Sequence, residues 1–283
     1  MKSLTSLLLV LCLTIFVWGC NTQEQSSSDA TSEASSQEDN KGKTETLLWK
    51  EVSKNASGGI THTTEYAYDS FGRKTTITVK QGDTTTITSY KYDENGFLAE
   101  EEIKTKGGSF VFHCVYENDS DGNVLKATTL DKKGDILTET LKIYDENGKI
   151  QEVKVDGKTT KIYTYEEDGS YTETYKNRVG YSKYDKDGNF LSSKDDQSEV
   201  TYSYTDGLLT EFVVVSGDII RKSVFEYTKG LISRNTEYEN DTISRVYLYE
   251  YDENMRLIKD SFQNEIGVTP RTTYYEYKEF PIE

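Results

Sequence analysis

Proline, cysteine and histidine are scarce: the chain holds two prolines, three cysteines and two histidines. So little proline leaves long strand ladders unbroken. Two histidines supply few general bases. No Gly-x-Ser-x-Gly, His-Glu-x-x-His or phosphate-loop pattern is present, so the common hydrolase, zinc-protease and nucleotide sites are missing. Positive charge is short as well, 33 Lys and Arg against 49 Asp and Glu, for a net charge of −16. That balance excludes nucleic acid as a partner, because phosphates need a basic surface. It also excludes membrane binding through a basic patch. Leu, Ile, Val and Phe make up only about a fifth of the chain, near the level of disordered proteins. A layered α/β enzyme with a thick aliphatic core is excluded, and abundant carboxylates on turns and strand faces serve solubility. The expectation is a non-enzymatic protein that needs no cofactor and no metal.

Much of the aliphatic content sits at the N-terminus. Lys2 followed by the apolar run Leu7 to Val17 has the pattern of a secretory signal. Val17-Trp18-Gly19-Cys20 resembles the lipobox of bacterial lipoproteins, with Trp18 where that family has a small residue. The resemblance implies that residues 1–19 are removed and that Cys20 carries lipid at a new N-terminus. Two or more acyl chains anchor stably where one does not. Residues 20–45 follow, rich in Ser, Gln, Asp and Glu and free of aromatics, as expected of a disordered acidic tether. Residues 46–283 form the folded part. The expected location is extracytoplasmic, held by lipid on Cys20 to the cell membrane or the outer membrane. Cys114 is then left without a disulfide partner. Its neighbour His113 points to the opposite face of a strand, and His62 is far away in sequence, so no metal or thiol site is expected.

All 22 tyrosines lie beyond residue 65, and they recur. Tyr66-Ala-Tyr68-Asp69, Tyr90-Lys-Tyr92-Asp93 and Tyr249-Glu-Tyr251-Asp252 are the fullest units, and Tyr163-Thr-Tyr165 and Tyr202-Ser-Tyr204 are shorter forms. Units recur roughly every 19 to 28 residues, a stacked-repeat period. The segment Leu130-Asp131-Lys-Lys-Gly134 reads as a degenerate unit whose tyrosine has become leucine. Tyr-x-Tyr puts both rings on one strand face, and Asp-x-x-Gly or Asp-Gly supplies a tight turn. A Thr- or Val-rich return strand follows, so each repeat is a hairpin, and about ten hairpins give about twenty strands.

These Tyr-Asp-x-x-Gly units resemble YD repeats, the repeats of Rhs proteins, wall-associated bacterial proteins and teneurins; MORN-like repeats are a second, less similar family. The resemblance covers about residues 60–277 and implies a β-sheet that spirals into a shell. The Rhs core signature and a following toxin module are missing, and the array reads as too short to close a large shell. The expected fold is therefore an all-β antiparallel hairpin meander forming an open twisted ribbon or partial spiral, with a β-propeller as the alternative.

Acidic turns such as Asp119-Ser-Asp121-Gly122 and Asp185-Lys-Asp187-Gly188 lack the other ligands of a calcium loop and read as hairpin turns. The tyrosine pairs have two readings. Either the rings pack on cross-strand neighbours, or some stay exposed and stack on a ligand. The candidate binding surface is Tyr66, Tyr68, Tyr90, Tyr92, Tyr163, Tyr165, Tyr202, Tyr204, Tyr249 and Tyr251. The expected function is binding or adhesion to a glycan, wall polymer or protein. The alternatives are an envelope scaffold and an accessory protein of an Rhs-type toxin system.

Overall fold

A computed structural model describes residues 43–282. The signal, Cys20 and nearly all of the tether lie outside the described residues. Twenty strands follow one another without a helix among the described residues. They are β1 (Lys43–Asn55), β2 (Ile60–Tyr68), β3 (Lys74–Gln81), β4 (Thr84–Tyr92), β5 (Leu98–Thr105), β6 (Phe110–Asn118) and β7 (Val124–Leu130). Next come β8 (Ile136–Tyr144), β9 (Ile150–Val155), β10 (Lys158–Tyr165), β11 (Tyr171–Tyr175), β12 (Gly180–Tyr184), β13 (Phe190–Asp195) and β14 (Glu199–Thr205). The last six are β15 (Leu208–Ser216), β16 (Ile219–Thr228), β17 (Leu231–Glu239), β18 (Thr242–Tyr251), β19 (Leu257–Asn264) and β20 (Arg271–Ile282).

Each strand pairs antiparallel with the next, and β1 pairs with both β2 and β20. The sheet is therefore a closed 20-stranded up-and-down barrel. All-β and antiparallel hold; the open ribbon, the partial spiral and the propeller do not. The reason lies in β1, which has neither Tyr-x-Tyr nor an Asp-Gly turn and so carries no repeat signal. Its 13 residues run alongside β20 from Lys43↔Ile282 to Asn55↔Arg271. Closure gives partners to the two rows of backbone N–H and C=O groups that an open ribbon would leave at its edges.

The turns behave as the repeat demands. In the unit after β4, Asp93 donates its N–H to the Phe97 carbonyl at 2.8 Å, and Gly96 donates to the Asp93 carbonyl at 3.0 Å. The Asp93 carboxylate accepts the N–H groups of Asn95 and Phe97 at 3.0 and 2.8 Å. Gly96 has φ +88°, which an L side chain rarely adopts. Asp69, Asp119, Asp131, Asp145, Asp185 and Asp252 accept backbone N–H groups in the same way. Asp119 and Asp185 are thereby hairpin-turn residues.

Alternation of strand direction puts every even-to-odd connection at one rim and every odd-to-even connection at the other. All Tyr-Asp turns lie at the first rim, where β1 also begins and β20 ends. The Leu130-Asp131 turn joins β7 to β8 and therefore belongs to the opposite rim. It is a turn of another series, and the wide gap between Tyr116 on β6 and Tyr144 on β8 spans the same two-strand step as the other units, so no degenerate unit is inserted there.

No dry core forms. The only buried apolar side chains among the described residues are Val52, Cys114, Val153 and Val246, and no large side chain is fully buried. The face that carries the tyrosines holds nearly all other buried positions, among them Thr64, Glu101, Glu173, Ser182, Asn235 and Asp260. The opposite face contributes Val52, Thr236 and Val246. Side chains crowd together on the concave side of a curved sheet and splay apart on the convex side, so the tyrosine face is the inner wall. At a typical strand tilt, twenty strands enclose a lumen about 40 Å across, too wide for side chains to fill.

Candidate binding wall

The inner wall is built in three tiers. The first is a row of hydroxyl latches near the Tyr-Asp rim. The second tyrosine of a unit donates its hydroxyl to a carbonyl of the preceding strand, at or near its start except in β1, where the acceptor is the sixth residue. Tyr68 reaches the Leu48 carbonyl at 2.6 Å, Tyr92 reaches Lys74 at 2.7 Å and Tyr165 reaches Ile150 at 3.0 Å. Tyr204, Tyr227 and Tyr251 bond Phe190, Leu209 and Ile232 at 2.9, 2.7 and 2.9 Å. These carbonyls lie where the ladder has a bulge, as at Lys74, opposite the shift between Ala67 and Tyr68, which leaves the regular ladder interrupted. Where the residue after the turn glycine is basic, it covers the next latch ring. Arg73 lies 4.5 Å from the Tyr92 centroid and Lys149 lies 4.8 Å from that of Tyr165.

The second tier is a belt of carboxylates held between tyrosines. Tyr66 donates to Glu51 at 2.6 Å, Tyr116 to Glu101 at 3.2 Å, Tyr163 to Glu173 at 2.9 Å and Tyr275 to Asp260 at 2.7 Å. Tyr90 and Tyr249 sit directly across the ladder from Glu101 and Asp260. Lys161 pairs with Glu173 at 3.0 Å. Burial raises the Glu101 carboxyl above its ordinary range, and the Tyr116 hydroxyl partly offsets that rise. Burial first, then the neighbouring carboxylate, pushes Tyr90 and Tyr249 up to about 12. These phenols are neutral donors at any physiological pH.

The third tier is an aromatic ladder along β10 to β16. Tyr163 and Tyr165 on β10 both meet Tyr171 on β11, with centroids 6.2 and 5.2 Å apart. Tyr171 stacks on Tyr184 of β12 at 4.6 Å, which meets Phe190 of β13 edge-on at 5.4 Å. Phe190 meets Tyr202 of β14 at 4.8 Å, Tyr202 stacks on Phe212 of β15 at 5.3 Å, and Phe212 reaches Phe225 of β16 at 6.2 Å. Each of the seven strands contributes to one continuous apolar strip.

The ten tyrosines expected as a binding surface all lie on this inner wall and all are half-buried. They fall into different roles. Tyr68, Tyr92, Tyr165, Tyr204 and Tyr251 are latches; Tyr66, Tyr90, Tyr163 and Tyr249 belong to the carboxylate belt; Tyr202 belongs to the ladder. Tyr171, Tyr184, Phe190, Phe212 and Phe225 complete the ladder. Their signal in the sequence is an aromatic at a fixed parity from each turn, visible only once the register is known. Cys20 lies outside the described residues. Cys114 is buried on the inner wall, and His113 lies on the outer face against Glu100 at 2.9 Å.

Neither face suits lipid. A membrane-spanning barrel needs an uncharged apolar band on its outside. The outer face carries cross-strand pairs such as Lys91–Glu100 at 2.9 Å and Lys126–Glu139 at 2.7 Å. The inner face carries Glu101, Glu173 and Asp260 at mid-strand.

No protein-family model and no curated protein match the chain. Among solved structures it is similar to a porin-like protein from Bacteroides uniformis, at 14% identity and a TM-score of 0.39, covering 82% of this chain and 98% of that one. It is similar to an exported protein with a YmcC-like fold from Bacteroides fragilis, at 9% identity and a TM-score of 0.19, covering 81% and 93% of the two chains. It also aligns with the Photorhabdus luminescens Tc holotoxin pore, at 10% identity and a TM-score of 0.24, over 77% of this chain and 18% of that one.

Proposed function

We propose that the barrel is a non-enzymatic binding module, displayed outside the cytoplasm by lipid on Cys20, whose inner wall takes a glycan or wall polymer. The observation that carries this reading is the unbroken aromatic ladder from Tyr163 to Phe225. Sugar rings present apolar C–H faces that pack on aromatic rings, while their hydroxyls donate to carboxylates. A strip crossing seven strands matches a chain of sugar units better than a single small molecule.

The latches favour a second reading, an envelope scaffold in which tyrosine only holds repeats together. Binding of the purified barrel to an array of glycans and wall polymers separates the two. The binding reading expects a hit that weakens at least tenfold in Tyr202→Ala with the β-sheet circular dichroism unchanged. An array without hits, from a protein that melts cooperatively, supports the scaffold.

A further inference from the structure

The two rims differ in chemistry. At the Tyr-Asp rim the turns carry Asp93, Glu94, Asp119, Asp121, Asp145 and Glu146, and like turns continue around it. The opposite rim holds a ring of exposed aliphatic side chains. Val179 and Ile266, in the connections β11–β12 and β19–β20, are 75% and 76% exposed. Ile60, Ile136, Leu137 and Ile220, at the starts of β2, β8 and β16, are 66%, 64%, 59% and 48% exposed. They stand in separate groups with polar turns between them, and the densest stretch runs from β15 to β2, where Val215, Ile219, Ile243 and Val268 are also exposed. Several turns here are only two residues long, Gly82-Asp83, Asp156-Gly157 and Asn240-Asp241 among them, whereas the connections that carry Val179 and Ile266 run four and six residues and present those side chains foremost.

We infer that this apolar rim is the docking surface for a second copy of the chain, the two barrels meeting rim to rim about a twofold axis. Charge chooses the orientation. Two Tyr-Asp rims repel one another, whereas the apolar rim is less acidic, with Lys132 and Lys133 between Asp131 and Asp135 and with Lys106, Lys176 and Arg178 in its other turns. That residual acidity, and a net charge of −16, also weigh against an anionic lipid surface as the occupant. The area is sufficient. At the tilt that makes the barrel about 40 Å across, the rim is about 125 Å long, and a wall about 10 Å thick offers about 1,250 Å² on each copy at full contact. A stable interface needs about 800 Å² per partner. A twofold contact is self-complementary and consumes the apolar rim of both copies, so assembly stops at two. The two lumens join end to end, and both Tyr-Asp rims, with the start of β1 and the end of β20, face outward.

Every strand pairing lies within residues 43–282, so the chain starting at Asn21 retains the whole barrel. Light scattering and sedimentation velocity on that protein should give twice the monomer mass at micromolar concentration. Ile220→Glu combined with Ile266→Glu places unpaired charge in the contact and should weaken the dimer about a hundredfold or more, with the circular dichroism unchanged. Phe71→Glu, at the other rim, should leave the dimer intact. A wild-type monomer at all concentrations overturns the inference, as does a dimer that survives the double substitution. Co-sedimentation of a wild-type monomer with phosphatidylglycerol vesicles, abolished by the double substitution, would overturn it in favour of a lipid surface.

Discussion

Replacing latch tyrosines by phenylalanine removes one hydroxyl and keeps the ring, so it isolates the hydrogen bond from the packing. Tyr68, Tyr165, Tyr227 and Tyr251 each donate to a backbone carbonyl at 2.6 to 3.0 Å in a part-buried setting. A neutral bond of this kind contributes about 1 kcal/mol net, and its loss leaves the carbonyl without that partner. The four sites are two or more strands apart, so their effects should add, giving about 4 kcal/mol for the quadruple variant. For a domain of this size about 1 kcal/mol lowers Tm by about 2–4 °C. Thermal unfolding followed by circular dichroism should therefore show a loss of about 8–16 °C. Tyr202→Phe is the control. Its ring contacts Phe190 and Phe212, but no hydrogen bond holds its hydroxyl among the described residues, and it should melt within about 2 °C of wild type. A quadruple variant that melts with wild type would refute the latch, and so would a Tyr202→Phe variant that loses as much per site.

Three further outcomes follow from the same wall. Burial raises Tyr90, Tyr165 and Tyr249 to about 12. A raised phenol contributes stability that is complete below its unfolded value near 10 and is lost as pH rises towards 12. Phenolate absorbance should thus appear together with loss of the β-sheet signal; tyrosines titrating near 10 in an intact barrel would contradict this. The turn carboxylates act at the other end of the scale. Hydrogen bonding from the Arg256 side chain, and then its backbone N–H, holds Asp252 below the ordinary carboxylate range. The Asn123 side chain does the same for Asp119. A lowered carboxyl gives stability that is present above its unfolded value and lost as pH falls through its folded one. Acid melts of Asp119→Asn with Asp252→Asn should therefore fall less steeply with pH than wild type, and an identical slope would argue against the turn role. Finally, Gly122 has φ +85°, and a Cβ there would meet the Phe97 ring at 2.5 Å. Gly122→Ala combines backbone strain of about 1 kcal/mol or more with over-packing of similar size, and its urea midpoint should drop measurably, while Phe97→Ala in the same chain should restore part of the loss.

How much of this was legible in the sequence varies by element. The Asp-x-x-Gly turns were, because a single Asp side chain and a positive-φ residue define them within five positions. The strands between them were, because Tyr-x-Tyr parity is local. Leu130-Asp131 was legible as a turn but not as a turn of the opposite rim, since rim membership depends on counting strands. The ladder was legible only in part. Tyr202 stood out by its pairing with Tyr204 and Phe225 by its pairing with Tyr227, whereas Phe212 is a solitary aromatic that joins the ladder only through the cross-strand register Tyr202↔Phe212.

Residue order by itself determined an all-β chain, its hairpin units, the common face of its tyrosines and the acidity of its Tyr-Asp turns. Each of these depends on neighbours a few positions apart. The tertiary structure decided that the sheet closes, which face turns inward, and which aliphatic side chains gather at one rim. Closure joins β1 to β20, with Ser53 bonded to Thr273 at 3.0 Å across 220 positions. Such a pairing depends on the twist and curvature accumulated over the strands between them, a sum that no local segment carries.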